Sequence, residues 1–268
     1  MTRISVRIES MPKQARVAAI SCSHVPHQSE SAIEALLNLL STLNDDKPFT
    51  HFVHLGDLLE AQGASVHPED APEHSLLDEY HEAANLLKRI RGVLRPRCKL
   101  HWLLGNHDAN IQQRNPKRIP RELRQLCDWN SVPVVRKEFQ RWEQTPYING
   151  KEACLEIGPL IFLHGFKCGN NSDELEGLEM AYACGGFAHR LITRGHTHQP
   201  VEPRQCRRGK IKLPWHVANV GNTAFDERPV YMERKSTEAW GRACLIAEAD
   251  LEGWKEGRSW QAELVRLD

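Results

Sequence analysis

At 268 residues the chain is long enough to bury a substantial core, and it reads as a single α/β domain over residues 1–268. Its 35 Lys and Arg balance its 35 Asp and Glu, which excludes a general polyanion binder and leaves any nucleic-acid affinity to local patches. Residues 1–16 lack the apolar core of a signal peptide and no later run has the length of a membrane span, so the expectation is a soluble, cytoplasmic protein with no membrane partner. The eight cysteines form no CxxC pair, and the chain is too large to need disulfide staples. Seven are read as reduced, small hydrophobes; Cys22 stands apart because it lies beside His24.

In chain order, the apolar run 17–20 predicts a buried strand that stops at Ser21-Cys22-Ser23-His24. A helix is expected over 32–43, a strand over 52–55 leading into Gly56-Asp57, and a helix over 76–94. In that helix Leu76, Tyr80, Ala83, Leu87, Ile90 and Leu94 recur at helical spacing. A third strand, 100–104, leads into Gly105-Asn106-His107-Asp108. Alternating strands and helices imply βαβ units and a parallel sheet. Residues 66–74 and 109–150 read as long excursions, the second as a cap or substrate-contact insertion. Strands follow at 153–157 and 160–163, the latter ending before His164. A helix is expected at 175–189 and a strand at 191–193 before Gly195-His196-Thr197-His198. Strands at 215–220 and 243–249 come late enough to build a second sheet.

Each of the five polar islands thus falls just past a strand's C-terminal end, where open α/β sheets place their sites. Together they supply carboxylate, imidazole, amide and thiol donors, the set that two adjacent divalent cations require. Such a pair needs one carboxylate to bridge both ions at about 3.5–4 Å, and Asp57 is the candidate. His54 should point away from it, because side chains alternate along a strand. A closed structural zinc site would give no reason for Asn106 or His107.

These motifs resemble the calcineurin-like metallophosphoesterase superfamily over roughly residues 17–220. The resemblance implies a sandwich of two mixed β-sheets flanked by helices, and two divalent ions (manganese, zinc or iron). One ion would be held by Cys22 and His24 of the first motif with Asp57 and His198, the other by Asp57, Asn106, His164 and His196. A hydroxide between the ions would attack phosphorus, His107 would protonate the leaving oxygen, and Asp108 would fix the tautomer of His107 by a hydrogen bond.

The superfamily usually opens with Asp-x-His, whereas this chain has Cys22-Ser23-His24, as in RNA lariat debranching enzymes. Cys22 is then either a thiolate ligand, which would favour zinc or ferrous iron, or an inert packed thiol. Asn219-Val220-Gly221-Asn222 resembles the Asn-Pro-Gly-Ser turn that often closes this site. Arg114 and Arg118 belong to a basic stretch interleaved with Trp129, Phe139 and Trp142. That combination of cations and stacking faces suits nucleic acid or nucleotides, or else a solvated face over buried aromatics. A second basic stretch, Arg204 to Lys212, is expected to flank the same pocket. The resulting reading is a phosphodiesterase or nuclease. The alternatives are a phosphomonoesterase acting on nucleotides or phosphoproteins, and a non-catalytic scaffold of the same fold. The segment Asp57-Leu58-Leu59-Glu60 lacks the Gly-Asp-x-Val-Asp-Arg-Gly pattern of phosphoprotein phosphatases.

Overall fold

The computed structural model describes residues 13–64, 74–111, 121–148, 151–169, 171–184, 189–226, 238–254, 257 and 259–268. The first sheet is assembled on β1 (Gln14–Ile20), which is entirely buried after its first residue. β1 pairs in parallel with β2 (His51–His54), β2 with β3 (Lys99–Leu103), and β3 with the short β4 (Glu143–Thr145). On the other side of β1, β10 (Ala243–Asp250) and β11 (Trp260–Arg266) add two antiparallel strands. The second sheet has the order β5 (Cys154–Ile157), β6 (Leu160–Leu163), β7 (Leu191–Arg194), β9 (Ile211–Asn219) and β8 (Val201–Arg208). Its inner three strands are parallel and its two edges antiparallel.

Side-chain alternation along β1 sorts the core into layers. Ala15, Val17 and Ala19 join Leu160, Phe162 and Leu191 in the apolar layer between the two sheets. Ala18 and Ile20 face the opposite way, into the layer filled by α1 (Glu30–Asp46) and α2 (Leu76–Val93). α5 (Ser172–Ala183) covers the outer face of the second sheet, where Met180 and Ala181 meet Ile192 and Val217. The result is a two-sheet sandwich of mixed strands flanked by helices, as the resemblance implies. Among the described residues no helix is long and apolar enough to cross a membrane.

Two expectations are corrected and one pair of alternatives is decided. The strand at 243–249 was expected in the second sheet but lies in the first, because its alternation places Leu245 and Ala247 between the sheets alongside Val17. The helix expected at 175–189 spans Ser172–Ala183, and residues 185–188 lie outside the described residues. Of the two readings of Trp129, Phe139 and Trp142, the structure bears out buried aromatics: Trp129 and Phe139 are fully buried and Trp142 is 2% exposed, packed against Trp102 and Phe52. That part of the stretch, including α4 (Pro133–Phe139), belongs to the core. β4, β8 and β11 escape sequence reading because they are edge strands, whose open sides keep polar residues and blur the period.

Capping sets the helix starts. Ser29 accepts from Ala32 N at the start of α1, and Ser75 forms a reciprocal box with Asp78 at the start of α2. One turn into α2, the buried Glu79 carboxylate accepts the Ala61 N–H at 2.7 Å and so holds the chain that follows Asp57. Burial, reinforced by Glu60, raises the Glu79 pKa from 4.5 to about 7. The folded state therefore binds the extra proton between those values, and stability falls as pH rises from about 4.5 to about 7, then levels off. Glu79→Gln, which keeps an acceptor for Ala61, should remove this loss. Urea unfolding from pH 5 to 8 should show the variant gaining on the parent by up to about 3 kcal/mol, whereas a pH-independent difference contradicts the assignment.

Candidate metal centre

Five loops meet at the C-terminal ends of β1, β2, β3, β6 and β7, so both sheets contribute to one site. The backbone there is strained. Cys22, His24, Asp57, His196 and His198 all have positive φ, between 45° and 68°, a region that costs residues other than glycine about 1–3 kcal/mol each. Cross-loop bonds hold these conformations: Cys22 N donates to Gly56 O at 2.9 Å, His24 N to Asp57 O at 3.0 Å, and Gly195 N to His164 O at 3.0 Å. Crowding explains why glycine leads two of the motifs. A Cβ on Gly56, at φ +99°, would stand 2.6 Å from Gly105 N, and one on Gly105 would run into the Asp57 carboxylate.

Asp57 lies between two groups of donors. His164 Nδ1 lies 2.7 Å from the Leu55 carbonyl, which takes its proton in the neutral ring and leaves Nε2 as a lone pair. That nitrogen is 3.2 Å from Asp57 Oδ2, from Asn106 Oδ1 and from His196 Nδ1. On the other side, His24 Nδ1 meets Glu60 Oε2 at 2.5 Å, turning its Nε2 toward His198 Nε2 at 3.1 Å and Asp57 Oδ2 at 3.8 Å. Donor atoms of Cys22, His24 and His198 all lie within 4.8 Å of one another, as do those of Cys22, Asp57 and His164. Bare imidazole nitrogens facing a buried carboxylate are acceptors against acceptors, an arrangement that a cation between them resolves. The donor set therefore fits two divalent cations sharing Asp57.

The electrostatics agree with that fit. Burial pushes the Asp57 carboxyl up, but positive charge on His164, His107 and His24 outweighs it and holds the group well below the usual range; where His164 and His24 are neutral ligands, a bound cation would supply that charge instead. Burial keeps His198 well below its ordinary value and His196 down at about 3, both neutral as ligation requires. Burial, with Asp57 beside it, pushes the Cys22 thiol well up, so its ionisation needs a neighbouring cation.

His107 stands on the open side, 24% exposed, with its backbone N–H on Asp57 Oδ1 at 2.9 Å and its ring Nδ1 2.7 Å from the Glu60 carbonyl. Burial lowers its pKa, yet Asp57, Glu60 and the Glu60 carbonyl together raise it to about 9. The hydrogen bond expected between the His107 ring and the Asp108 carboxylate is not formed. Asp108 sits at the third position of α3 (Asn106–Ala109), where its carboxylate turns back to the helix start and accepts from Gly105 N, Leu59 N, Leu58 N and Trp102 Nε1. It ties the second and third loops together, and the Glu60 carbonyl orients His107.

Several participants escape sequence reading. Glu60 is one; a carboxylate three residues after Asp57 was its available signal. Arg194, 1% exposed, pairs with Glu176 at 2.8 Å and Asp173 at 3.6 Å and donates to Lys167 O, tying the loops after β6 and β7 to α5. The 219–222 turn, by contrast, was expected at this site, and it braces the His196 loop: Asn219 donates to Thr197 Oγ1 and Gly195 O and accepts from Gly221 N. Cys168 is exposed, unlike the buried cysteines it was grouped with, and its Sγ lies 3.1 Å from His196 Nε2. His54 stays outside the donor groups, with Nε2 on Ser23 Oγ at 2.8 Å and Nδ1 on Gly56 N.

Arg114 and Arg118 lie outside the described residues. Most of the basic stretch expected to flank the pocket lies away from it: Arg207 to Lys212 sit toward the far end of the sheet, whereas Arg204 pairs with Val217, two residues from Asn219, and is directed to Glu174 of α5. β9 runs parallel to β7, which puts Asn219 beside the donors and the β8–β9 turn at the opposite end of the sheet, about 26 Å away for eight residues of strand.

The sequence profile of calcineurin-like phosphoesterases matches residues 15–200. The chain belongs to that family. Similar solved structures include vacuolar protein sorting 29 of Cryptosporidium parvum, 14% identical over 94% of this chain and 97% of that one, with a TM-score of 0.42. Vps29 of Chaetomium thermophilum is 12% identical over 95% and 97%, TM-score 0.42. The Pseudomonas putida nuclease MPE is 12% identical over 93% and 87%, TM-score 0.34. No protein with a curated description matches the sequence.

Metal-stripped protein should gain about 2.7 kcal/mol of stability when manganese or zinc is added at about a hundred times its dissociation constant. Asp57→Asn should lose that gain. Thermal unfolding with and without metal, together with elemental analysis, checks both; wild-type metal content in the variant contradicts the shared-carboxylate arrangement.

Proposed function

We propose that the protein is a metal-dependent phosphoesterase that hydrolyses phosphodiesters. The observation that carries this reading is the convergence of Cys22, His24, Asp57, Asn106, His164, His196 and His198 into two donor groups around one buried carboxylate, with His107 on the exposed side. When bound, two divalent cations would lower the pKa of water and neutralise charge on the phosphoryl oxygens.

The remaining chemistry belongs to the chain. Asp57 Oδ1 is taken by the His107 N–H, leaving Oδ2 for the space between His24 and His164. The Glu60 carbonyl receives the Nδ1 proton of His107, so Nε2 is the atom turned to substrate. There it holds a proton for the leaving oxygen as the bond from water oxygen to phosphorus forms and the ester P–O bond breaks, and the proton that the attacking water gives up restores the ring. Arg194, next to the His196 loop, is directed to Glu176 and Asp173 rather than to substrate. The presence of His107, His196 and His198, although Cys22 stands where the family usually has Asp, supports catalysis over a scaffold role.

Metal-stripped protein reloaded with manganese, zinc or ferrous iron should hydrolyse bis(p-nitrophenyl) phosphate faster than p-nitrophenyl phosphate. His107→Ala should keep its metals and lose about 10²–10⁴-fold in kcat on a diester with an alkoxide leaving group, and less on nitrophenyl esters, whose leaving group needs little protonation. Full alkyl-diester turnover in that variant, or faster monoester cleavage in the parent, overturns the respective part of the proposal. Inactivity with every metal favours the scaffold.

A further inference from the structure

The wall of the centre on the His24 and His198 side is a row of rings. Phe225 lies 4.9 Å from His24 and 5.9 Å from His198 between ring centroids, and Trp240 lies 4.3 Å from His198, edge to face. The row continues without a break: Phe225 to Trp240 is 5.7 Å, and Phe225 to His27 is 6.1 Å with the planes within 23° of parallel. Unlike Trp129, Phe139 and Trp142, these three rings are partly exposed.

Phe225 is also held in an unfavourable conformation. Its φ of 55° lies in the left-handed region, which an aromatic residue rarely adopts. Two hydrogen bonds to its backbone keep it there: Phe225 N donates to His27 O at 2.8 Å, and the Arg242 side chain donates from Nη2 to Phe225 O at 2.7 Å. Strain of this kind concentrates at working sites, and here it fixes a ring beside the donors instead of in the core. The nearby carboxylates Glu30 and Asp226 are paired with Arg89 and Arg242, each at 2.9 Å, so their charge is compensated.

Resting on the phosphodiesterase reading above, we infer that His27, Phe225 and Trp240 form a subsite for a nucleobase carried on the scissile phosphate ester. Rings beside a phosphoryl site bind a base by stacking, which tolerates any sequence because every base has a π-face. The base could come from a single-stranded nucleic acid or from a nucleotide ester, and the test separates these sources.

Two matched pairs of diesters decide the matter: thymidine p-nitrophenyl phosphate against methyl p-nitrophenyl phosphate, and oligothymidylate against an abasic oligomer of equal length. The base-bearing member should show roughly a tenfold higher kcat/KM in at least one pair. Phe225→Leu and Trp240→Ala should each bring that ratio toward one. Preference in the first pair alone identifies a nucleotide ester, and preference in both identifies a single strand. A parent ratio near one, or a ratio unmoved in both variants, overturns the subsite and leaves the phosphodiesterase reading standing. If the parent hydrolyses no diester, that reading fails. Fluorescence anisotropy of labelled oligothymidylate and abasic oligomer on the metal-loaded protein then measures the same ratio as affinities, with the same outcomes for and against.

Discussion

The buried carboxylate of Asp57 is the constraint around which the other loops are arranged. An anion this deep is costly unless positive charge or donors surround it, and His24, His107 and His164 converge on it from three different loops. The strained backbone at Cys22, His24, His196 and His198 follows from that convergence, since each loop must turn sharply past a strand end to bring its donor inward. Gly56 and Gly105 have no side chains because these two loops pass in backbone contact beneath the carboxylate.

A second set of interactions holds the loops from behind. Glu60 grips His24 with its carboxylate and His107 with its carbonyl, Asp108 joins the second and third loops, and Glu79 fixes the chain just after Glu60. On the other sheet, Arg194 and Asn219 do the same work through Glu176, Asp173 and Thr197. A donor held by a second partner keeps its tautomer and direction, so this network decides which nitrogen each imidazole offers.

The aromatic residues divide along the same logic of burial. Trp102, Trp129, Phe139 and Trp142 fill the layer between the first sheet and its helices, far more apolar area than an exposed face could keep from water. His27, Phe225 and Trp240 stay partly exposed at the edge of the centre, where stacking can serve a ligand.

Much of the centre was legible in the chain because its signals are local. An apolar run followed by Gly-Asp, Gly-Asn-His-Asp or Gly-His-Thr-His shows where a strand ends and which donors follow, and the order of strands and helices implies a parallel sheet that gathers those ends. Contacts across long separations were not legible. The partner of Asp108, the pairing of Arg194 with Glu176, the approach of Cys168 to His196 and of Phe225 to His24, and the distance of the β8–β9 turn from the donors depend on which strands pair and in what register. Periodicity sets an element and its buried face, but the neighbour on that face is chosen by the packing of the whole chain. The sequence therefore determined the candidate donors and the scaffold class, and the tertiary structure decided which groups orient those candidates and which rings stand beside them.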